Sequence, residues 1–340
     1  MAIMDRRDRV KEALNHRRTD IVPYNVEFTQ EQLEQTLAAY QMQAAEFAQY
    51  LGNHCSKVSY NLGGTYVRPG FFMDEFGVVW DRSGIDKDIG MVAELKYQDS
   101  SDDSYVFPEP DTTQVREVTQ AAVAARGDRF LFGKIGTTYL ERAWSLCGFQ
   151  NFLMYLAIEP DFVQELLGKV LDYNLKIIDV AVEYDIDGFY FGDDYGQQSG
   201  MLMSPDAWRT FVKPGLAEMF QRVRSKGKTV ALHSCGNIGE ILPELVEIGL
   251  DVYQTVQPEV YDLAALKREL GHRLTFWGAI STQRDLPFLS AQDLEQKIAD
   301  TLALLSVDGG YIAGPTHRLP ADVPADNVRV LVETLRRQQA

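Results

Sequence analysis

Cysteine is nearly absent: Cys55, Cys147 and Cys235 are the only three in 340 residues. An odd, sparse set in so long a chain is not a disulfide framework, and it fits the reducing cytoplasm. No run of about 18 uncharged apolar residues occurs, so no membrane-spanning helix is expected. The opening Met1-Ala2-Ile3-Met4-Asp5-Arg6-Arg7 turns straight into a charged helix. Without an apolar stretch it does not read as a secretory signal. Positive charge is also in short supply, with 33 Lys and Arg against 49 Asp and Glu and a net charge of −16. A nucleic-acid binder would show a basic face and a peripheral membrane protein a polybasic patch. Neither nucleic acid nor membrane is therefore expected as a partner.

Several catalytic signatures are missing as well. There is no G-x-G-x-x-G after the first strand, no G-x-x-x-x-G-K-[ST], no H-E-x-x-H and no G-x-S-x-G. A dinucleotide enzyme, a P-loop nucleotidase, a zincin protease and an α/β-hydrolase each lose support. The single polar, acidic run, residues 97–104, reads as a solvated loop.

What is present is alternation. Short runs rich in Val, Ile, Phe and Tyr separate longer segments of helical spacing. Strands are expected at Ile21–Phe28, Lys57–Leu62, Arg129–Ile135, Asp187–Gly192, Thr229–Leu232, Val252–Val256, Leu274–Gly278 and Tyr311–Ala313. Helices are expected at Thr29–Leu51, Pro160–Tyr184, Pro205–Lys226, Ile238–Ile248, Asp262–Leu270, Ala291–Leu305 and Asp326–Arg336. Strands alternating with helices make parallel βα units. The count matches an α/β fold of the (β/α)8 TIM-barrel type, one domain over residues 1–340, with a doubly wound sheet as the competitor. Pro69–Leu95 breaks the pattern. It reads as a β-hairpin insertion in an early βα loop, over the barrel mouth, within about residues 66–105.

Barrel enzymes carry their sites at the C-terminal ends of the strands. There this sequence places Asp193-Asp194, His233-Ser234-Cys235-Gly236-Asn237, Gln257, Trp277 and His317. In extended chain, residues i and i+2 point to one side, so His233 and Cys235 can face one metal ion. His317, after the last strand, can supply a third ligand, leaving the open position of a catalytic zinc. A buried cysteine beside a hydrogen-bonded histidine explains the pair equally well on spacing alone. Asp193 and Asp194 are candidate catalytic acids or bases, or orienters of an imidazole. A cap or a solvated turn is the plainer alternative. Glu141-Arg142 reads equally as a helix ion pair or as a substrate contact. Cys55 and Cys147 read as structural, and His16, His54 and His272 as surface or core residues.

At these residues the sequence resembles the uroporphyrinogen decarboxylase superfamily, and within it the cobalamin-dependent methyltransferase-like branch. Arg7–His16 with Asp20-Ile21-Val22-Pro23, then Asp74-Glu75-Phe76-Gly77-Val78-Val79-Trp80, are similar to that branch's opening and insertion. Gly192–Gln198, Ser204-Pro205 with Trp208-Arg209, His233–Asn237, Val256-Gln257-Pro258 and Phe276-Trp277-Gly278 are similar to its central signatures. The resemblance implies a TIM barrel. The decarboxylases of the superfamily carry an arginine-bearing segment after the first strand, where this chain has Asn25-Val26-Glu27-Phe28-Thr29-Gln30. True uroporphyrinogen decarboxylation is therefore not expected. The methyltransferases bind zinc through His-x-Cys and a later Cys; His233 and Cys235 carry over, and His317 stands in the later place. The resemblance implies a zinc-dependent methyl transfer between a small methylated or thiol substrate and a corrinoid carried on a separate protein. Ligands would be His233, Cys235 and His317, with substrate contacts from Tyr139, Gln257 and Trp277, in a chain that can form a homodimer. The alternative is a decarboxylase-like lyase acting on a small carboxylic or phenolic substrate with an Asp acid/base.

Overall fold

The computed structural model describes residues 4–84 and 87–338. Seven parallel strands pair in chain order: Cys55–Ser59, Phe130–Ile135, Gly188–Gly192, Thr229–His233, Val252–Thr255, Thr275–Ile280 and Tyr311–Pro315. Four of them are buried at every position. Helices cover such strands outside and side chains fill the space inside, hence their apolar runs. Among the described residues no helix is long and apolar enough to cross a membrane.

The expected strand Ile21–Phe28 takes another form. Pro23 has no N–H to give, and the segment makes only isolated bridges, such as Tyr24 with Ala313. Even so, it joins the two edge strands. Asn25 N–H donates to Ala313 O at 2.9 Å and Ala313 N–H to Pro23 O at 2.8 Å. On the other side His54 N–H donates to Tyr24 O at 3.0 Å. The Asn53 amide accepts from Val26 N–H at 2.9 Å and donates to Val26 O at 2.8 Å. A side chain thus replaces a missing stretch of ladder, and the ring closes as an eight-membered barrel.

Other expectations need adjustment. Thr29–Leu51 is two helices, Gln30–Tyr40 and Ala44–Leu51, parted where Gln41 turns left-handed at φ 55°. Pro205–Lys226 contains a π-turn, Trp208–Val212, immediately before Lys213–Arg224. Pro214 lacks the donor an α-helix needs there, and the wider turn absorbs the gap. Ile238–Ile248 shortens to Leu242–Glu247. Helices Thr112–Ala125, Leu140–Cys147 and Phe149–Ile158 add to those expected.

The insertion is a four-stranded antiparallel sheet rather than a hairpin: Thr65–Arg68, Phe71–Met73, Val79–Asp81 and Met91–Glu94. Its strands are three or four residues long, too short for a period-2 signal to emerge. Asp74 anchors it, accepting from Phe76 N–H, Val78 N–H and Trp80 Nε1–H at 2.9–3.0 Å. The same carboxylate takes Arg142 from the barrel at 2.6 Å, and the guanidinium lies 4.0 Å from the Phe76 ring centre. Arg142 therefore ties insertion to barrel, buried and matched as a buried cation must be, alongside the Lys96 and Tyr97 N–H groups that donate to Leu146 O.

Candidate metal centre

Two loops at the barrel mouth build the site. One follows Gly188–Gly192 and carries Asp193-Asp194-Tyr195-Gly196; the other follows Thr229–His233 and carries Ser234-Cys235-Gly236-Asn237. They interlock through their backbones. Asp193 N–H donates to His233 O at 3.0 Å, Tyr195 N–H to Ser234 Oγ at 2.9 Å, and Asn237 N–H to Gln197 O at 2.9 Å. Gly236 has φ +75°, and a Cβ there would fall 2.3 Å from Gly196 C. Only glycine allows so close an approach in that conformation.

The arrangement brings His233, Cys235 and His317 together, with one ligand atom from each all within 4.8 Å of one another. Cys235 Sγ lies 3.6 Å from His233 Nε2. Gln254 fixes which nitrogen is available. Its Nε2 donates to Thr316 O at 3.2 Å, so its Oε1 faces Tyr190 OH at 2.9 Å and His233 Nδ1. That network assigns the proton to Nδ1 and leaves the Nε2 lone pair toward Cys235 and His317. Burial lowers His233 to about 4, against the Gln254 hydrogen bond. Burial also lowers His317 to about 4, with His233 beside it. Both imidazoles are neutral near pH 7, as ligands must be. Burial, with Asp194 close by, pushes the Cys235 thiol up, so metal binding would release its proton. Two imidazoles and a thiol with a supporting hydrogen-bond shell are a fitting donor set for zinc.

The two aspartates separate. Asp194 lines the cavity, accepts from Cys235 N–H at 2.7 Å and lies 3.6 Å from His233 Nε2. Burial raises its carboxyl. Asp193 is turned away, accepting from Leu140 N–H at 2.8 Å, Glu141 N–H at 2.7 Å and Tyr195 OH at 2.7 Å. It caps the helix Leu140–Cys147 from a distant loop. Burial lifts it to about 7 against the pull of those three donors. Glu141 reaches the cavity, and burial together with Asp194 and Asp193 holds its carboxyl well above the usual range.

The cavity of about 370 Å³ is also lined by Trp277, His233 and His317. Tyr139 and Gln257 lie elsewhere. Tyr139 is buried, its hydroxyl against Gly215, where a Cβ would sit 2.3 Å from it. Gln257 accepts from Gly236 N–H at 2.6 Å and braces the Cys235 loop. Neither is among the lining residues. The lining also includes residues that no sequence motif pointed to, among them Glu27, Lys57, Lys134, Tyr190, Gln254 and Arg318. A lysine interrupting an apolar strand run, as in Phe-Leu-Phe-Gly-Lys-Ile ending at Ile135, was the available signal. Lys57 Nζ pairs with Glu27 at 2.6 Å and lies 4.1 Å from the Tyr190 ring centre. Burial opposes ionisation of Glu27, but Lys57, Lys134 and Arg318 hold its carboxyl down at about 2.

Backbone strain collects on the same rim. Thr137, Val256 and Ala279 have φ of 52°, 55° and 67°, left-handed values that side-chain-bearing residues seldom adopt.

Comparison with known proteins bears on the fold and the family. A methyltransferase from Methanosarcina mazei superposes with a TM-score of 0.73 over 99% of this chain and 100% of its own, at 18% identity. At that identity the likeness is one of fold. A uroporphyrinogen decarboxylase from Psychromonas ingrahamii is 21% identical over 245 residues, 68% of this chain and 67% of that one. The model of the uroporphyrinogen decarboxylase (URO-D) family matches residues 106–338, which carry all three ligand candidates and both interlocked loops, and the chain belongs to that family.

Proposed function

We propose that the protein transfers a methyl group between a small methylated or thiol substrate and a corrinoid carried on a separate protein, with zinc held by His233, Cys235 and His317. Family membership and the methyltransferase neighbour support an enzyme that is methyltransferase-like or decarboxylase-like. The convergence of two imidazoles that line the cavity with the Cys235 thiol beside them carries the methyltransferase reading.

Bound there, zinc supplies Lewis acidity that lowers the pKa of a substrate thiol or polarises the heteroatom of a methylated substrate. The chain's residues do the rest. Gln254 holds the His233 ring with its lone pair toward the ligand group. Asp194 stands beside His233, an acceptor for a proton leaving the substrate. Trp277 forms a wall of the cavity. In the thiol direction the S–C bond forms as the Co–C bond breaks, and its electron pair stays on cobalt.

A decarboxylase-like lyase acting on a small carboxylic or phenolic substrate is the second reading. Its favouring observation is the pair of carboxyls, Asp194 and Glu141, both lifted by burial on the same cavity wall. The two are separated by incubating the protein with methylcobalamin and a panel of small thiols, following loss of the methyl-corrinoid absorbance. Transfer that disappears in Cys235→Ala and on chelation supports the methyltransferase. No transfer with any thiol, and none in reverse from methylated substrates to Co(I) corrinoid, contradicts it.

A further inference from the structure

The cations of the cavity are unevenly matched. Lys57, on Cys55–Ser59, holds Glu27 at 2.6 Å, and Arg318 holds Asp88 at 3.4 Å. Lys134, on the neighbouring strand, lines the same cavity. Among the described residues its ammonium has no hydrogen-bond or ion-pair partner. Burial, with Lys57 close by, lowers Lys134 to about 8, which leaves it charged near pH 7. A shielded ammonium with no direct partner, whose nearby carboxylate Glu27 is already paired with Lys57, is poorly matched unless something arrives to complete it.

The surroundings show what would fit. Lys134 is the register partner of Tyr190. Lys57 Nζ lies 4.1 Å from the Tyr190 ring centre and 4.8 Å from that of Trp277. Tyr190 and Trp277 meet edge to face, with centroids 5.8 Å apart. Tyr190 also reaches the other end, its hydroxyl donating to the Gln254 oxygen that holds His233. The two rings therefore form a floor from the ammonium pair to the histidine and cysteine group. With Lys57 shared by Glu27, the pair offers one uncancelled positive charge, the match for a monoanion. In a chain of net charge −16 the bulk field repels anions, so two ammoniums set against the single carboxylate of Glu27 in one part of the cavity are a specific provision.

We propose that Lys134, assisted by Lys57, binds a carboxylate of the substrate, making the substrate a small carboxylic acid whose reacting heteroatom lies across the Tyr190–Trp277 floor at the His233, Cys235 and His317 group. The far end rests on the zinc reading; the carboxylate end does not.

Benzoate and its uncharged analogue benzamide are suitable probes, titrated calorimetrically into the whole protein with and without zinc. Benzoate should bind at least tenfold tighter than benzamide. Lys134→Met should abolish that preference, and Glu27→Gln should strengthen benzoate binding by releasing Lys57. A gain of binding cannot come from misfolding. Equal binding of the two probes, no benzoate binding, or a preference that survives Lys134→Met overturns the proposal. Inorganic phosphate displacing benzoate with higher affinity overturns the carboxylate assignment in favour of a phosphoryl group. Loss of zinc binding with the benzoate preference intact would refute the metal reading and leave this one standing.

Discussion

The backbone N–H of Cys235 donates to the Asp194 carboxylate at 2.7 Å. One bond thereby joins the two loops at the residues that carry their chemistry. It fixes the thiol-bearing residue relative to an acid that also stands 3.6 Å from His233 Nε2. Neighbouring Asp193, pointing the other way, secures the outer side of the same loop to the helix Leu140–Cys147. A site held this way from both sides is preorganised, which a metal centre with one open position requires.

Gln254 should matter through His233. Gln254→Leu removes the acceptor for the imidazole Nδ1–H and the tie to Thr316 O. Zinc affinity should fall about 10–100-fold, measured by competition with a chromophoric chelator. Gln254→Glu keeps an acceptor and should recover part of the loss. Unchanged affinity in Gln254→Leu would mean that His233 needs no orientation.

Asp193 should prove structural. Asp193→Ala strands two backbone N–H groups and the Tyr195 hydroxyl in a buried setting. The expected destabilisation is about 3 kcal/mol, read from urea unfolding. Zinc bound per folded chain should not change. Wild-type stability with turnover abolished would instead make Asp193 the reacting acid.

Acid should loosen the barrel at its closure. Burial, then Arg9, pushes His54 from 6.5 to about 3. The unfolded chain takes up this proton near pH 6.5 and the folded chain does not, so the contribution is complete above about pH 6.5. It is lost as pH falls toward 3, by at most about 1.4 kcal/mol per pH unit. His233 and His317, lowered to about 4, act in the same direction in metal-free protein. The urea midpoint should drop steeply between pH 6.5 and 4, and His54→Leu should flatten that slope. A pH-independent midpoint over this range would contradict it.

The strand ends were legible because fully covered parallel strands read as apolar runs, and the polar residues that follow them gather at the mouth. His233 and Cys235 were legible for the same local reason, two residues apart on extended chain. Asp193 and Asp194 were not separable, since adjacent side chains diverge and only the position of Leu140 decides which one becomes a cap. Tyr139 and Gln257 sit at strand ends like the others but spend their polar atoms on packing and loop bracing. The closing segment at Tyr24 depends on the Asn53 side chain, a tertiary substitution with no periodic signature. Lys57 and Lys134 lie on neighbouring strands far apart in sequence, so their common cavity emerges only in the folded sheet.

The central claim is that His233, Cys235 and His317 hold one metal ion. Metal content of tag-free protein by mass spectrometry, wild type beside Cys235→Ala, tests it most directly. The account predicts about one zinc per chain in the wild type and loss of that zinc in the variant. A wild type that stays metal-free after zinc loading, or a variant that retains the full complement, would contradict it.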